Sequence, residues 1–558
     1  MTNPITAAFA QCQDIIAAAY AKAVTNGTLP DGANAGVCEI PGDAKHGDVS
    51  SNFALAAAKT LKLPPRAIAQ AVLDELDLSG SYFAKAEIAG AGFINFFYND
   101  AWKSAVLETI VSENTNYGRS TIGEGKRVMV EFVSANPTGP MTLGNARGGV
   151  LGDAIASVLE AVGYDVWREF YVNDAGNQVN IFARSIHARY IQLLKGEDAA
   201  TFPENGYQGE DIRDLAAAFA EQHGDSYLSK DENTCLKDMM AFGLRHNVDA
   251  MKRDLAAYRV NHDEFFYEST LHDSGYVAET IDLLRQQGCL YEQDGATWLR
   301  STDFGNEKDE VLITSAGNYT YYAVDIAYHR NKFVERGFDR VIDVLGADHH
   351  GHTVRFRAGL EAIGIDGSRL EFSLYQLVNL LRDGESVRMS KRTGRAIRLV
   401  DLLDEVSVDA ARFFFNNRST DTHLEFDMGL AVREDSDNPV YYVQYAHARI
   451  CNLIKLVGCG TMQNIDASVL THDAELSLLK TLAFFPEEIA QAAKTCQPYR
   501  INRYLLDCAS AFHKFYNACR IKEAEQNVRD ARLALCEATK IVLRNGLALL
   551  KVSAPENM

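Results

Sequence analysis

The sequence predicts a multidomain α/β protein, and three observations carry that prediction. Its 558 residues leave room for three or four domains of roughly 150 residues each. Short apolar runs with β-branched residues recur at 127–134, 165–172 and 340–345, each leading through a polar turn into a helical pattern, which implies a mostly parallel sheet. Beyond residue 400 the patterns are helix upon helix, as in an all-α bundle.

Taken in order, the first hundred or so residues read as a small α+β domain. Apolar residues Ile5, Phe9, Cys12, Ile16 and Tyr20 mark an amphipathic helix, not a signal peptide, since no basic segment precedes them and Asp14 interrupts them. Helical patterns follow at 52–61 and 65–76, where Pro64-Pro65 closes one and opens the next. Strand-like runs lie at 86–88 and 93–98, and the polar stretch 113–126 reads as a linker. The expected domains are 1–115, 116–400 and 401–558, the second interrupted at about 181–317 by a polar, mostly helical insertion.

Seventy-five acidic against 55 basic side chains give a net charge of −20, which argues against nucleic acid as a partner for the chain as a whole. The balance is uneven. Residues 441–558 hold 14 Lys+Arg and 11 Asp+Glu, a local +3 that can still meet phosphates. No run of about 18 apolar residues occurs, so no membrane span is expected. Ten singly scattered cysteines without a CxxC pair predict reduced thiols in a cytoplasmic protein.

Neither a P-loop nor a GxGxxG fingerprint is present. Instead SANPTGPMTLGNARGGVLGD, residues 134–153, sits at a strand-to-helix junction, where free N–H groups and the helix dipole suit phosphate. Its glycines equally suit helix–sheet packing. The second element, RMSKRTGR at 388–395, is a basic loop able to close over a polyphosphate.

Together these elements resemble the HIGH and KMSKS signatures of class I aminoacyl-tRNA synthetases. Further strings resemble the arginyl-tRNA synthetase family: VEFVSANPTGP, YVNDAGNQ, YTYYAVDIAYH, VLGADHHGH, DAARFFF, NPVYYVQYAHARI and, nearer the start, GDVSSNFALAAAK and AGAGFINF. The resemblance spans about residue 47 to the end. It implies a Rossmann-like catalytic domain, an N-terminal domain that meets the tRNA elbow and an anticodon-binding bundle. It also implies ligation of L-arginine to tRNA(Arg) through an arginyl-adenylate, with ATP, Mg²⁺ accompanying the ATP, a monomeric state and no editing domain.

Residue by residue, the resemblance carries arginine binding onto Glu131, Asn136, Tyr321, Asp325 and His349. Glu131, Tyr321 and Asp325 are expected at the guanidinium, Asn136 and His349 at the α-amino group. Tyr321 and Asp325 are i, i+4 and share a helix face; read alone, Asp325 could equally pair with Arg330. ATP binding falls on Pro137, Thr142, Gly144, Asn145, Arg388, Met389, Ser390 and Lys391, with Thr142, Gly144, Asn145 and Lys391 catalytic. The family expects His at the positions of Thr142 and Asn145, so HxGH reads TLGN here. That departure leaves open a second class, a synthetase-like protein that binds its ligands without activating them. Adjacent Asp348, His349, His350 and His352 lack the separated ligand pairs of most zinc sites, and no metal is assigned. For the RNA, stacking aromatics and nearby cations nominate Tyr442, Tyr445, His447, Arg449, Arg503 and Tyr516.

Overall fold

The computed structural model describes residues 3–387, 397–458 and 465–558. Helices α1 (Pro4–Thr25), α2 (Phe53–Leu61), α3 (Pro65–Asp74) and α4 (Asp100–Glu113) surround a four-stranded antiparallel sheet. Its strands β1 (Cys38–Glu39), β2 (Val49–Ser51), β3 (Phe83–Ala89) and β4 (Phe93–Tyr98) lie in the order β1-β2-β4-β3. Asn3 caps α1 by accepting from the Ile5 and Thr6 amides, and Pro65 opens α3. The stretch expected as a linker is pinned in place. Tyr117 is 1% exposed and donates to the Leu482 carbonyl at 3.0 Å, while the Ser120 and Gly123 amides donate to carbonyls 161 and 162.

The central sheet has five parallel strands: β5 (Arg127–Phe132), β6 (Asp165–Val172), β7 (Glu264–Tyr267), then β11 (Arg340–Gly346) and β12 (Leu370–Tyr375), in the order β12-β11-β5-β6-β7. Strands β8 (Leu290–Gln293), β9 (Ala296–Leu299) and β10 (Glu310–Ile313) form a separate antiparallel sheet. Helix α5 (Leu143–Ala161) joins β5 to β6 and is buried along nearly its whole length. Helices α6 (Asn177–Lys195), α7 (Glu210–His223) and α8 (Glu232–Ala257) make the helical insertion. The span 181–317 is therefore more than an insertion of helices: it contributes β7 to the main sheet. Helices α9 (Ser269–Asp273), α10 (Tyr276–Gln286), α11 (Tyr321–Arg330) and α12 (His352–Ala362) complete this part, α11 running on into a π-helical turn, Asn331–Glu335.

The C-terminal part is helical with one exception. Strand β15 (Leu424–Asp427) pairs in parallel with β13 (Val378–Arg382), whose other neighbour is β14 (Glu385–Ser386). Helices α13 (Leu399–Glu405), α14 (Val408–Phe415) and α15 (Met428–Ala431) lead into the bundle of α16 (Pro439–Val457), α17 (Asp473–Ala483), α18 (Phe485–Thr495), α19 (Tyr499–Ala518) and α20 (Gln526–Leu549). A buried polar hub ties the bundle to α5. Asp153 on α5 accepts from Lys551 at 2.5 Å and from Arg412 of α14 at 2.5 Å, and Arg412 also donates to the carbonyls of Leu550, Tyr258 and Arg259. Among the described residues no helix is long and apolar enough to cross a membrane.

Candidate active site

Strand connections run in opposite directions from β5 and β11, so a cleft opens between the carboxyl ends of these neighbours, where open parallel sheets bind ligands. Leaving β5, the chain turns sharply: Val133 and Ser134 both take left-handed backbone, at φ 73° and 38°. For a β-branched residue this conformation is costly and marks a site whose geometry the surroundings enforce.

In the sheet register Glu169 of β6, Glu131 of β5 and Asp343 of β11 lie side by side. Three neighbouring carboxylates repel unless each is paired. Glu169 accepts from Tyr328 at 2.5 Å and from Arg336 at 2.9 Å. Glu131 accepts from Lys332 Nζ at 2.5 Å and Ser134 Oγ at 2.8 Å. Asp343 faces Lys332 Nζ at 3.2 Å and His329 Nε2 at 2.8 Å; burial pushes its carboxyl up, but these two neighbours hold it down at about 2.

These groups form the floor of a cavity of about 590 Å³ lined by Glu131, Asn136, Tyr321, Asp325 and His349, among others. All five residues expected to hold arginine are thus brought together. Glu131 reaches the cavity with both oxygens already engaged. Asp325 differs: among the described residues its carboxylate makes no hydrogen bond or ion pair. Desolvation by the surrounding protein pushes its pKa up to about 7, with His329 and Arg355 pulling it down and Glu268 and Glu131 pushing it up. An unpaired, desolvated carboxylate in a cleft is primed for a cation. Tyr321, 59% exposed, stands at the cavity's mouth at the first turn of α11.

The loop after β6 is also accounted for. Asn136 donates to Gln178 at 2.9 Å. Asn173, with its amide turned to satisfy both ends, donates to Glu268 and to the Ala175 carbonyl. Asp174 is structural, accepting from the Ser269 amide and hydroxyl at 2.8 and 2.7 Å at the start of α9. Residues that the sequence reading did not assign include Tyr171, Tyr328, His329 and Arg355 on the cavity wall, and Lys332 behind it. Asp325, Tyr328, His329 and Lys332 follow one another at i, i+3, i+4 and i+7, a same-face spacing that was visible in the sequence.

At the nucleotide end, the glycines of α5 divide by role. A Cβ at Gly152 would fall 2.2 Å from the Phe132 ring, and one at Gly148 would fall 2.7 Å from Tyr375 Oη, so both serve packing. A Cβ at Gly144 would meet only Thr142 Oγ1 at 3.8 Å, so this glycine keeps open space at the helix start. Thr142 caps α5. Asn145 Oδ1 accepts from both the Thr142 amide and its hydroxyl, each at 2.9 Å, and among the described residues the Asn145 Nδ2 protons have no acceptor. The Thr142 hydroxyl proton is therefore not available to a phosphate in this arrangement. Pro137 is buried in the preceding loop, its carbonyl accepting from Asn247 at 2.9 Å. Arg388, Met389, Ser390 and Lys391 lie outside the described residues. The segment just after them is fixed to α5: the Leu143 amide donates to the Ile397 carbonyl at 3.1 Å and the Leu399 amide to Met141 at 2.9 Å.

In the bundle, a second cavity of about 250 Å³ lies between α16 and α19, lined by Ser436, Tyr441, Tyr442, Tyr445, Arg449, His513 and Asn517. The Tyr441 and Tyr445 rings are nearly parallel, 6.0 Å apart. Arg449 donates to Tyr445 Oη at 2.8 Å and lies 4.7 and 5.0 Å from the centroids of Tyr445 and Tyr516. Three of the expected RNA contacts, Tyr442, Tyr445 and Arg449, line this cavity and Tyr516 adjoins it. The other two lie away from it. His447 is only 3% exposed and bonds the Pro555 carbonyl at 2.8 Å, because its position on α16 faces the bundle core. Arg503 is exposed near Asp507 and does not line the cavity; it sits ten residues before His513 on α19, about 15 Å along the axis.

Residues 106–452 match the family described as tRNA synthetases class I (R), catalytic domain, so the protein is a class I aminoacyl-tRNA synthetase by fold and by the cleft at its switch point. Residues 10–98 match the arginyl tRNA synthetase N terminal domain and residues 443–558 the DALR anticodon binding domain. The arginine--tRNA ligase of Acetivibrio thermocellus is 50% identical over all of both chains, and that of Caldanaerobacter subterraneus is 49% identical, again over all of both. The chain belongs to the arginyl-tRNA synthetase family. Among solved structures, a putative arginyl-tRNA synthetase from Campylobacter jejuni superposes with a TM-score of 0.75 at 32% identity, covering 82% of this chain and all of that one. The Thermus thermophilus arginyl-tRNA synthetase shares the fold over 99% of this chain and all of its own, with a TM-score of 0.73 at 23% identity.

Proposed function

We propose that the protein ligates L-arginine to tRNA(Arg) at the expense of ATP. The observation that carries this reading is the Asp325 carboxylate, alone among those lining the cavity in making no hydrogen bond or ion pair among the described residues, beside the open start of α5. The guanidinium pairs with Asp325, and Tyr321 closes over it from the mouth of the cavity. Asn136 and His349 hold the α-amino group. The arginine carboxylate then attacks the ATP α-phosphate, and pyrophosphate leaves with the Mg²⁺ that enters with ATP. The α5 N-terminus and Asn145 Nδ2 stabilise the phosphates; Lys391 and its basic neighbours in sequence supply positive charge. A ribose hydroxyl of the tRNA terminus attacks the arginyl-adenylate carbonyl and AMP departs. The protein's contribution is positioning and charge stabilisation, with no covalent enzyme intermediate.

The bundle cavity takes an unpaired anticodon base: aromatic faces stack it while Arg449 meets the adjoining phosphate. Aminoacylation of total tRNA with each labelled amino acid tests the whole reading. Arginine alone should be transferred. Binding of arginine and tRNA without transfer would instead support the non-activating protein that TLGN leaves open.

A further inference from the structure

Lys332 is fully buried behind the cavity floor and makes no use of its charge toward solvent. Its ammonium bridges Glu131 and Asp343, the two members of the acidic row that face the cavity, and lies 4.2 Å from the centroid of the Tyr328 ring. The lysine arrives there on the π-helical turn that follows α11, so the helix that presents Asp325 to the cavity also delivers the counter-cation to its floor. Such single π turns recur where a helix must re-aim side chains at a functional site. Buried ion clusters are often replaceable by apolar side chains without loss of stability, so stability alone does not explain a charged floor here.

We propose that Lys332 is a specificity-determining positioning residue: it fills, from within the protein, the place between two carboxylates that a ligand's ω-ammonium would otherwise take. An ammonium is a compact donor that two carboxylates satisfy well. With Lys332 in that place, Glu131 and Asp343 share an internal cation, and Asp325 is the one lining carboxylate that makes no hydrogen bond or ion pair among the described residues. A planar guanidinium can use both oxygens of Asp325 as a fork, whereas a lysine ammonium finds one acceptor group and leaves its other protons unmet. The inference rests on the arginine reading of the cavity and deepens it, assigning to a residue outside the cavity the rejection of the nearest competing amino acid.

The test uses the full chain with tRNA, measuring kcat/KM for arginine and the inhibition constant of L-lysine. Three variants are compared, Lys332→Met, the charge-balanced Lys332→Met/Asp343→Asn and Lys332→Ala, each checked for folding by circular dichroism. The second removes one charge of each sign, so Glu131 is freed while the floor gains no net charge. The expected result is that L-lysine inhibits the charge-balanced variant at least about tenfold more tightly, and that the arginine-to-lysine preference narrows by about a hundredfold, while KM for ATP stays within about twofold. In Lys332→Ala, added propylammonium should restore the preference. A folded variant whose preference is unchanged, or in which arginine, lysine and ATP constants all worsen in parallel, overturns the proposal. Failure of the wild-type chain to use arginine at all would refute the reading of the cavity itself, independently of any Lys332 variant.

Discussion

The two cavities handle charge in opposite ways. The cavity at the sheet edge gathers carboxylates and gives Glu131, Glu169 and Asp343 hydrogen-bond donors from within, through Lys332, His329, Arg336 and Tyr328, while Asp325 has none among the described residues. The bundle cavity has a lining of tyrosines with a single guanidinium laid against two rings. On the proposed reading, one presents an anion to a flat cation and the other presents flat faces and a cation to a base and its phosphate. The lesson is that selectivity here depends on what is left unpaired after the protein has satisfied its own groups.

The sharpest way to break this contrast is Asp325→Ala. It should cut kcat/KM for arginine by about a thousandfold, the usual consequence of removing one partner of a desolvated charge pair, while KM for ATP moves less than about threefold in steady-state kinetics. Equal losses for both substrates would make Asp325 a structural residue. Next, Arg449→Ala should raise KM for tRNA by about ten- to a hundredfold and lessen the salt dependence of binding by about one phosphate contact, leaving KM for arginine unchanged.

A smaller effect follows from pH. The Asp325 carboxyl, at about 7 in the folded chain, is protonated below that pH, while the guanidinium stays charged throughout. Arginine affinity should therefore fall about tenfold per unit as pH drops below 7, and calorimetry on Asp325→Asn should show this slope flattened. The same raised pKa means that Asp325 lowers stability progressively as pH rises from the unfolded value toward 7. Asp325→Asn should accordingly melt higher than wild type at pH 8 and not at pH 4. Least of all, His447→Ala should lower the melting temperature by about 1–4 °C and leave KM for tRNA within about twofold, since that ring faces protein and not solvent.

Much of the fold was legible because it rests on local pattern. The apolar runs of β5, β6 and β11 announced a buried parallel sheet, the spacing of Ile5, Phe9, Cys12 and Ile16 announced α1, and Pro65 announced the start of α3. Strand β7 was not legible: it is four residues long, lies within helical surroundings, and pairs with the end of β6 only after the insertion has folded back. Strand β15 escaped for the same reason, being defined by a partner more than forty residues earlier. At the site, the strings at 131–136, 321–325 and 349 converge on one cavity because each follows a strand or opens a helix at the same sheet edge. The engagement of Glu131 by Lys332 depends on sheet register and a π turn, neither of which sequence spacing encodes. Tyr445 and His447 look alike as aromatic positions on one helix, yet a two-residue step, a rotation of about 200°, sends one to the cavity and the other to the core.

The hub at Asp153 bears on how the polypeptide can be dissected. Its buried carboxylate on the nucleotide-side helix draws one of its cations from Lys551, 398 residues downstream, and Arg412 is itself moored by the Leu550 carbonyl. Cutting the bundle away to obtain a minimal catalytic fragment would strip a charge partner from the middle of α5, whose start is the proposed phosphate site. Severing the two ends would thus be felt as a fault in the engine, not merely as the loss of a handle for RNA.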